Sequence, residues 1–488
     1  MKSIQELHAV AKRPLRVMQF GEGNFLRAFV DYAIDVANEK GVFNSNVAVI
    51  VPIKGCEVRQ RFDQQNNVYT VCLRGKKNGA VYEENRPITC IEKVICAFED
   101  YKDFMELAHT EELEFVVSNT TEAGIVYDAT DKFESCPPIT FPGKLTKFLY
   151  ERFTFFKGDA TKGLIMLPVE LIEKNGEALE KCVMQFIDLW QLPEEFKNWV
   201  NSHCRFVGTL VDRIVTGYPH GKGAEYEEVL GYKDELLDVA EPFGLWVIGD
   251  EAVAPKLPLS SDKLEVEFTN QLEVYKERKV RILNGAHTSM VLGAYLAGFD
   301  YVNQCMADDA IRTQLEQSVF DEIVPTVHMP REKAAGFAKE VFGRFENPFV
   351  QHALLSISLN SISKWRARVL PTFKDYVTAN GKLPKWLTYS LAALLAFYRT
   401  TEPGNGCLIG HRGDNTYEIH DDADKLQVVA KAAALSTTDY AITLLGREDF
   451  WGEDLTKIEG LTDAVTATLE AIEKDGIGAY IAALGKES

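Results

Sequence analysis

The hydrophobic positions of this chain change their period part-way along it. In the first part, short β-branched runs alternate with helical stretches, and the runs lie near residues 50, 116 and 165. Continuous apolar runs of this length are typical of strands buried on both faces, as in parallel sheets with crossover helices. The pattern predicts an α/β first domain.

A helical period replaces this alternation from about Gln271 onward. Alanine- and leucine-rich segments at 286–298, 386–400, 425–446 and 461–484 predict a mostly α-helical second part. Before it, the stretch 212–270 is rich in glycine, proline and charge and then alternates again at Leu264, Val266 and Phe268. We expect added strands there that close the first domain. The predicted division is 1–270 and 271–488.

A glycine turn follows the first apolar run. Residues 16–29 read R-V-M-Q-F-G-E-G-N-F-L-R-A-F, which predicts a strand, a turn and a helix from about Phe25. Gly21 would allow a tight turn and Gly23 the approach of a pyrophosphate to the helix N-terminus, as in a Rossmann-like dinucleotide-binding domain. Leu26 stands where G-x-G-x-x-G has its third glycine, so a merely structural turn is an open alternative.

A second motif, K-V-R-I-L-N-G-A-H, occupies residues 279–287. At about 100° per residue, Lys279, Asn284 and His287 fall within an arc of roughly 140° on one helix. A lysine whose pKa lies near neutral pH can exchange a proton with a hydroxyl, and an asparagine amide can stabilise an oxyanion. The alternative is a solvated lysine, a kink at Asn284-Gly285 and a satisfied histidine beside the core.

Composition narrows the class of protein. The 488 residues are 46% hydrophobic, which suffices for two cored domains. A formal net charge of -19 and the lack of a basic arm argue against a nucleic-acid partner. The chain starts without the apolar core of a signal peptide, and no run reaches the about 20 apolar residues of a membrane span. We expect a cytoplasmic protein without a membrane partner, and its oligomeric state is not determined.

The nine cysteines are scattered and include no C-x-x-C pair. Cys90 with Cys96, or Cys204 with His203, would not converge on four donors. We therefore predict reduced, mostly buried thiols and no catalytic metal.

Four ordered segments together resemble the polyol-specific long-chain dehydrogenases, the mannitol dehydrogenase family. They are G-x-G-x-F-x-R-A at 21–28, S-N-T-T-E-A-G at 118–124, V-D-R-I at 211–214 and K-x4-N-x2-H at 279–287. Within the family, S-N-T-T-E-A-G-I and E-L-I-E-K-N-G at 170–176 look most like the reductases of keto-uronates.

The resemblance implies NAD-dependent hydride transfer and roles for the matching residues. Lys279 would be the general acid/base, Asn284 an oxyanion donor and His287 a substrate-orienting partner. Asp212 would lie on the substrate side, although an ion pair with Arg213 or a helix cap is an alternative. The predicted cofactor-binding residues are Phe20, Gly21, Gly23, Asn24, Phe25, Arg27, Asn119, Thr120, Thr121 and Glu122.

Two positions depart from the family pattern. Glu170 stands where the mannitol enzymes place a carbonyl-polarising asparagine, so it would bind a substrate hydroxyl, couple to Lys279 or serve the structure. The second predicted strand ends in Pro52-Ile53-Lys54 where NAD enzymes often carry a ribose-binding carboxylate. NAD is our first choice, and Lys54 or Arg59 would be the acceptors of a 2′-phosphate if NADP were used instead.

A carboxylate-bearing substrate needs local positive charge in so acidic a chain. S-I-S-K-W-R-A-R at 361–368 resembles the family's substrate-side segment, with Lys364 at the matching position. We add Arg366 and Arg368 as predicted ligands, because guanidinium groups bind carboxylates bidentately; solvated surface charge is the alternative. The rival functions are reduction of another keto-uronate, oxidation of a neutral polyol, and nucleotide sensing without catalysis.

Overall fold

The computed structural model describes residues 2–77, 79–121 and 123–486 and divides into two units, one ending at Leu272 and the other beginning at Glu273. The strands of the first unit are β1 (Lys2–Ser3), β2 (Leu15–Phe20), β3 (Asn46–Val51), β4 (Tyr69–Lys77), β5 (Ala80–Ile88), β6 (Ile91–Cys96), β7 (Phe115–Ser118), β8 (Ile165–Pro168), β9 (Arg205–Phe206), β10 (Thr209–Asp212), β11 (Val215–Gly217), β12 (Tyr232–Lys233), β13 (Asp238–Ala240), β14 (Leu245–Ile248) and β15 (Glu265–Phe268). Its helices are α1 (Asn24–Leu26), α2 (Tyr32–Glu39), α3 (Glu57–Gln64), α4 (Tyr101–Glu106), α5 (Phe141–Phe155), α6 (Asn175–Leu189), α7 (Glu194–His203) and α8 (Gly223–Leu230). A π turn, Arg27–Asp31, joins α1 to α2.

Six parallel strands form the main sheet of this unit, in the order β6-β3-β2-β7-β8-β9. Numbered by their appearance in the chain, these strands run 3-2-1-4-5-6, which is the Rossmann order. The order reverses between β2 and β7, where Phe20 pairs with Ser118. Ligands of such sheets bind at the carboxyl ends of the strands beside this switch point. The predicted fold class is confirmed.

Successive side chains of the central strands enter opposite cores. Val47, Val49 and Val51 of β3 pack on one face of the sheet, and Ala48 and Ile50 pack on the other. Both faces are covered, so the strand has no polar side, which is why its sequence reads as one apolar run.

Added strands extend the unit, as the sequence predicted for 212–270. With the earlier strands β4, β5 and β10 they form two small sheets, β11-β13-β4-β5 and β10-β14-β15, and β12 pairs with β1. The long antiparallel hairpin β4–β5 was not predicted. Its sequence signal is the Asn78-Gly79 dipeptide between the two strands, a pair typical of two-residue hairpin turns.

Asp31, in the π turn after α1, and Asp238, in β13, have buried carboxyl groups. Asp31 accepts a hydrogen bond from the Tyr69 hydroxyl at 3.0 Å, and Asp238 lies 3.8 Å from the Arg27 guanidinium. Burial raises the pKa of each carboxyl from 3.8 to about 7, although Tyr69 and Arg27 oppose the shift. Both acids therefore take up a proton on folding at mildly acidic pH.

This burial predicts that the first unit loses stability as the pH rises. Between the unfolded pKa near 4 and the folded pKa near 7, the folded state holds a proton that the unfolded state has released, so the contribution is full at low pH and is lost as pH passes 7. Three pKa units correspond to about 4 kcal/mol for one such group. Melting temperatures from pH 5 to 8.5 should fall less for Asp31→Asn than for the wild type, and Asp103→Asn, an exposed control, should keep the wild-type slope. Equal slopes for Asp31→Asn and the wild type would contradict the assignment.

Helices form most of the second unit, as predicted. They are α9 (Leu272–Arg278, which begins at the boundary residue), α10 (Gly285–Leu296), α11 (Val302–Ala307), α12 (Asp309–Gln317), α13 (Arg331–Phe345), α14 (Leu354–Ile357), α15 (Ser361–Arg368), α16 (Leu370–Asn380), α17 (Lys385–Tyr398), α18 (Ala423–Ala432), α19 (Thr437–Leu445), α20 (Glu448–Trp451), α21 (Leu461–Asp475) and α22 (Ile477–Leu484). The helical part also includes two π turns, Lys279–Asn284 and Ser318–Ile323, and two 3-10 turns, Val324–Thr326 and Leu455–Lys457. A hairpin is formed by β16 (Leu408–Arg412) and β17 (Asn415–Ile419).

Two predicted helical segments are each broken once. Ser436 caps α19 through its side chain and so separates it from α18. Gly476 has a φ of +82° and separates α21 from α22. The hairpin was not predicted, although its two-residue turn, Gly413-Asp414, is a hairpin signal.

One disulfide corrects the expectation of reduced thiols. Cys56 and Cys96 are bonded, with their Cα atoms 5.9 Å apart. The prediction is wrong for this pair because it considered spacing in sequence, whereas β3 and β6 are neighbours and bring the two cysteines to one end of the sheet. The seven other cysteines are free, and all but Cys136 are buried. Within the described ranges, no helix has the length and apolar character of a bilayer span.

Candidate active site

The turn after β2 requires glycine at position 21. Gly21 has a φ of +113°, and a Cβ added there would lie 2.9 Å from the Asn119 carbonyl oxygen and 3.1 Å from a methyl carbon of Leu26. The Gly21 amide donates to the Ile50 carbonyl at 2.9 Å. Leu26 thus fills the place of the motif's third glycine by packing under the turn.

Open space lies above the N-terminus of the first helix. Gly23 caps this helix in an extended conformation, and a Cβ added there would meet no atom within 4 Å among the residues described. Free amide groups of a first helical turn attract anions, and glycine keeps the approach to them clear. The residues present therefore fit the pyrophosphate of a dinucleotide.

The loop after β7 is held by a buried carboxylate. Glu170 accepts hydrogen bonds from the Ser118 hydroxyl, the Thr120 amide and the Thr120 hydroxyl, each at 3.0 Å. Burial raises the pKa of Glu170, and these donors oppose the rise. These contacts position the loop at the switch point, and the predicted substrate role of Glu170 stays a prediction.

That loop contains a strained residue at a predicted cofactor position. Thr121 has a φ of +78°, which is rare for a β-branched side chain and is typical of ligand-binding loops when it occurs. Asn119 and Thr120 are half-buried beside it. Glu122, the last predicted cofactor residue of the segment, lies outside the described residues.

Three other predicted cofactor residues have structural contacts. Phe20 is buried against Phe141, with their ring centres 4.8 Å apart, and the ring of Phe25 stacks on Phe29 at 4.9 Å. Arg27 is 6% exposed and donates to the Leu236 carbonyl and the Asn24 side chain. Its guanidinium faces the interior of the unit, so the expected cofactor contact of Arg27 is not the one that the structure shows.

The end of β3 bears on the choice between NAD and NADP. Lys54 is exposed and lies over the ring of Phe98 at 5.5 Å. Arg59 is ion-paired with Asp100 and, at 3.5 Å, with Asp63. These carboxylates occupy Arg59 and add negative charge beside it, which disfavours a 2′-phosphate there.

Lys279 and Asn284 begin and end a π turn rather than lying on a regular α-helix. The Gly285 amide donates to the Val280 carbonyl, five residues earlier, and also to that of Ile282. A turn closed over five residues places residue i+5 closer above residue i than an α turn does. The arc estimated for an α-helix therefore overstates the separation of Lys279 and Asn284. π turns of this kind are frequent at functional sites.

Buried contacts fix the orientation of this turn. Arg281, in its middle, pairs with Glu277 at 2.9 Å and with Asp375 at 2.5 Å, and it donates to the Thr326 carbonyl at 2.9 Å. At its end, a Cβ on Gly285 would lie 3.4 Å from the Arg368 carbonyl oxygen, so glycine lets α10 approach α15 closely.

His287 has the properties of a neutral substrate ligand. Its ring stacks on Phe345 at 4.2 Å, and its buried Nε2 atom has no hydrogen-bond partner in the described part of the chain. Burial, with smaller effects of His352, Arg344, Arg368 and Lys364, holds the pKa of His287 well below 6.5. The ring is therefore uncharged at neutral pH and is not the satisfied polar group of the alternative interpretation.

The predicted cations on α15 divide between two sides of that helix. Arg368 reaches the Thr288 hydroxyl at 3.5 Å, one residue after His287, and Lys364 donates to the Ile357 carbonyl at 2.8 Å. Burial lowers the pKa of both side chains. Arg366 lies instead against Gly452, where an added Cβ would be 2.8 Å from its guanidinium. The structure thus brings Lys364 and Arg368 to the His287 region and places Arg366 elsewhere.

Sequence reasoning missed two residues of this region. Arg344 is the last residue but one of α13, next to Phe345, and the ring of His352 lies 5.4 Å from that of His287. Neither belongs to a motif, and both reach His287 only through the packing of residues 331–353 in the second unit. We use the term basic cluster for Lys364, Arg368, Arg344, His352 and His287.

Asp212 ends strand β10 and is 6% exposed. A helix cap is therefore excluded for it. The Arg213 guanidinium donates to the backbone carbonyls of Ala28 at 2.7 Å and Phe243 at 2.9 Å, which are the contacts that hold this arginine in the interior.

Comparison with known families agrees with this arrangement. The family model of the mannitol dehydrogenase Rossmann domain matches residues 15–261, and that of the mannitol dehydrogenase C-terminal domain matches residues 271–473. The chain belongs to the mannitol dehydrogenase family. The family resemblance of the four sequence segments is thereby confirmed.

Two relatives are similar to this protein over nearly the whole chain. Altronate oxidoreductases of Shigella flexneri and of Escherichia coli strain K12 are each 43% identical over 475 residues, which cover 96% of this chain and 96% of theirs. Two solved structures share the fold. A D-sorbitol dehydrogenase in substrate-free form has a TM-score of 0.80 at 18% identity, covering 99% of this chain and 100% of its own. Mannitol 2-dehydrogenase of Pseudomonas fluorescens, in a ternary complex with NAD and D-mannitol, has a TM-score of 0.65 at 19% identity, covering 99% and 96%.

Proposed function

We propose that this protein is an NAD-dependent tagaturonate reductase, also called altronate oxidoreductase, which interconverts D-tagaturonate and D-altronate. The observation that carries the proposal is the 43% identity to altronate oxidoreductases over 96% of the chain. The basic cluster supports the proposal. A uronate differs from a neutral polyol by one carboxylate, and Lys364 and Arg368 are cations of the type that binds a carboxylate. The relatives' name supports a reaction at a CH-OH group.

Lys279, Asn284 and His287 each have a place in this reaction. The glycine turn at Gly21 and Gly23 and the loop after β7 would hold NADH, which when bound would supply the hydride for the keto carbon. Lys279 gives a proton to the developing alkoxide during reduction and removes it in the oxidative direction, and Asn284 donates a hydrogen bond to the same oxygen. His287, held neutral by burial, donates to or accepts from a substrate hydroxyl through Nε2.

Substrate comparison tests the proposal against its rivals. Purified protein should oxidise NADH fastest with tagaturonate, compared at equal concentration with fructuronate and fructose, and NADPH should be the poorer reductant. Preference for fructuronate would make the protein a fructuronate reductase, and preference for fructose a neutral polyol dehydrogenase. Turnover of none of the three would leave a nucleotide-binding protein.

Gly21 offers a test of the dinucleotide site. Gly21→Ala should weaken NADH binding by at least about tenfold, because the new Cβ would press on the Asn119 carbonyl and the positive φ adds about 1–3 kcal/mol of strain. Gly41→Ala is the matched control, since Gly41 also has a positive φ, +69°, but no atom within 4 Å of an added Cβ in the described chain. Fluorescence titration with NADH measures both affinities. Equal affinities in the two variants would argue against the site.

The remaining expectations stay predictions. They are a cytoplasmic location, a reaction without a catalytic metal, and the lack of nucleic-acid and membrane partners. The oligomeric state is a separate measurement.

A further inference from the structure

Three side chains of metal-ligand type meet at the open end of the hairpin β16–β17. Leu408 pairs with Ile419 and Ile409 with Glu418, so the same register sets Cys407 opposite His420. Opposed residues of antiparallel strands point to the same face, and the faces alternate along each strand. Cys407, Glu418 and His420 therefore share one face, whereas Leu408 and Ile419 are buried on the other.

The ligand atoms of these three residues converge. All of them lie within 4.8 Å of one another, and His420 Nε2 is 2.8 Å from a carboxylate oxygen of Glu418. Bond lengths of about 2.0–2.3 Å in a tetrahedral zinc site put the donors of one ion about 3.3–3.8 Å apart. The spacing observed thus needs a closure of about 1 Å around an ion.

The thiol is fixed in place before any ion binds. The Gly404 amide donates to the Cys407 carbonyl at 2.9 Å, and Pro403 forms a bridge with Leu408. A Cβ added to Gly404 would lie 2.5 Å from Cys407 Sγ, so the missing side chain gives the sulfur its room. Cys407 is 6% exposed, whereas Glu418 and His420 are open to solvent, which leaves an entry path and a place for water.

We propose that Cys407, Glu418 and His420 bind a zinc-type divalent cation, with water as the fourth ligand. Thiolate, imidazole and carboxylate are all zinc ligands, and the thiolate disfavours magnesium or calcium. The site goes beyond the proposed reduction and takes no part in its chemistry. The cation clamps the open end of the hairpin.

The clamp lies next to the start of α15. The His420 carbonyl accepts a hydrogen bond from the Asn360 amide at 2.9 Å, and the Asp421 carboxylate accepts one from the Tyr398 hydroxyl at 2.8 Å. Tyr398 in turn accepts from the Ser361 amide at 3.1 Å. The hairpin end thereby supports the helix that carries Lys364 and Arg368.

A second histidine–glutamate pair, which includes His411 of the same hairpin, gives a matched control. His411 lies 2.8 Å from Glu402, the distance found for His420 and Glu418, and both pairs are exposed. The group of metal-ligand residues found among the described residues includes His420 and Glu418 but not His411 and Glu402. Only a site that needs the thiol will distinguish the two pairs.

Metal titration of the full chain tests the proposal without an activity assay. Protein freed of metal by a chelator should bind one Zn²⁺ per chain in competition with a chromophoric chelator, and Co²⁺ should give a thiolate charge-transfer band. Cys407→Ser and His420→Ala should each weaken Zn²⁺ binding by at least about tenfold, and His411→Ala should leave it unchanged. The cobalt band should disappear in Cys407→Ser.

Thermal melts separate binding from folding. In the presence of chelator, His420→Ala, which changes an exposed residue, should have the same melting temperature as the wild type. Added Zn²⁺ should raise the melting temperature of the wild type and of His411→Ala, but not that of His420→Ala. Equal zinc binding by the wild type, Cys407→Ser, His420→Ala and His411→Ala would overturn the proposal. So would a loss of binding in His411→Ala as large as that in His420→Ala, or a wild type that binds no equivalent of zinc. A failure of the proposed uronate reduction would leave these results unaffected.

Discussion

Replacing Lys279 with methionine should lower the turnover of tagaturonate by about 10²–10⁴-fold and leave NADH binding intact. Hydride addition produces an alkoxide that must be protonated, and Asn284, in its proposed role, would stabilise that charge without supplying a proton. Methionine retains an unbranched stem of similar length, so the π turn and its Arg281 anchors are preserved. Single-turnover oxidation of bound NADH measures the chemical step directly.

Two further observations separate a proton donor from a structural lysine. Added primary amines should restore part of the turnover of Lys279→Met, and the rate without amine should depend less on pH in this variant than in the wild type. Lys339→Met, which changes an exposed lysine on α13, should behave as the wild type in all assays. Turnover of Lys279→Met within about tenfold of the wild type would exclude the role proposed for this residue.

Replacing Arg368 with glutamine should raise the KM for tagaturonate by about 10–100-fold, with a smaller change in kcat. In the proposed role, the guanidinium would bind the substrate carboxylate equally in the ground state and the transition state, so its loss should mainly weaken binding. Hydrogen bonds between charged groups are worth about 1.5–3 kcal/mol, which corresponds to this range. Steady-state kinetics at fixed, saturating NADH gives both constants.

Arg366 is the matched control on the same helix. Arg366→Gln removes the same charge from α15, but this side chain lies against Gly452 and not beside Thr288 and His287. Its KM should stay close to that of the wild type, and any slow reduction of fructose should be unaffected by either substitution. An equal rise in KM for both variants would indicate a general loss of positive charge instead of a defined carboxylate site.

The central strands of the main sheet could be predicted because they are buried on both faces. Val47 to Val51 have no polar side to expose, so sequence alone shows a strand and its burial. The glycine turn could be predicted in the same way, since Gly21 needs a backbone conformation that other residues rarely adopt. These features depend on neighbours in sequence.

The features that could not be predicted depend on neighbours in space. Cys56 and Cys96 meet because two strands lie side by side, and Arg344 and His352 reach His287 because α13 and the segment after it pack there. Arg27 and Arg366 carry charges that suit a ligand site, but the fold directs them elsewhere. The π turn was hidden because an α-helical period was assumed for a segment whose backbone contains one extra residue in its turn.

That extra residue has an evolutionary consequence. A π turn brings residue i+5 above residue i, and an α turn does the same for residue i+4. Loss of a single codon between Lys279 and Asn284 would therefore convert the turn to regular α-helix and keep the two side chains above one another. The buried helix α10 would keep its own residues. A relative that reads K-x3-N in place of K-x4-N can thus carry the same pair of side chains, and the two spacings are equivalent when such chains are compared.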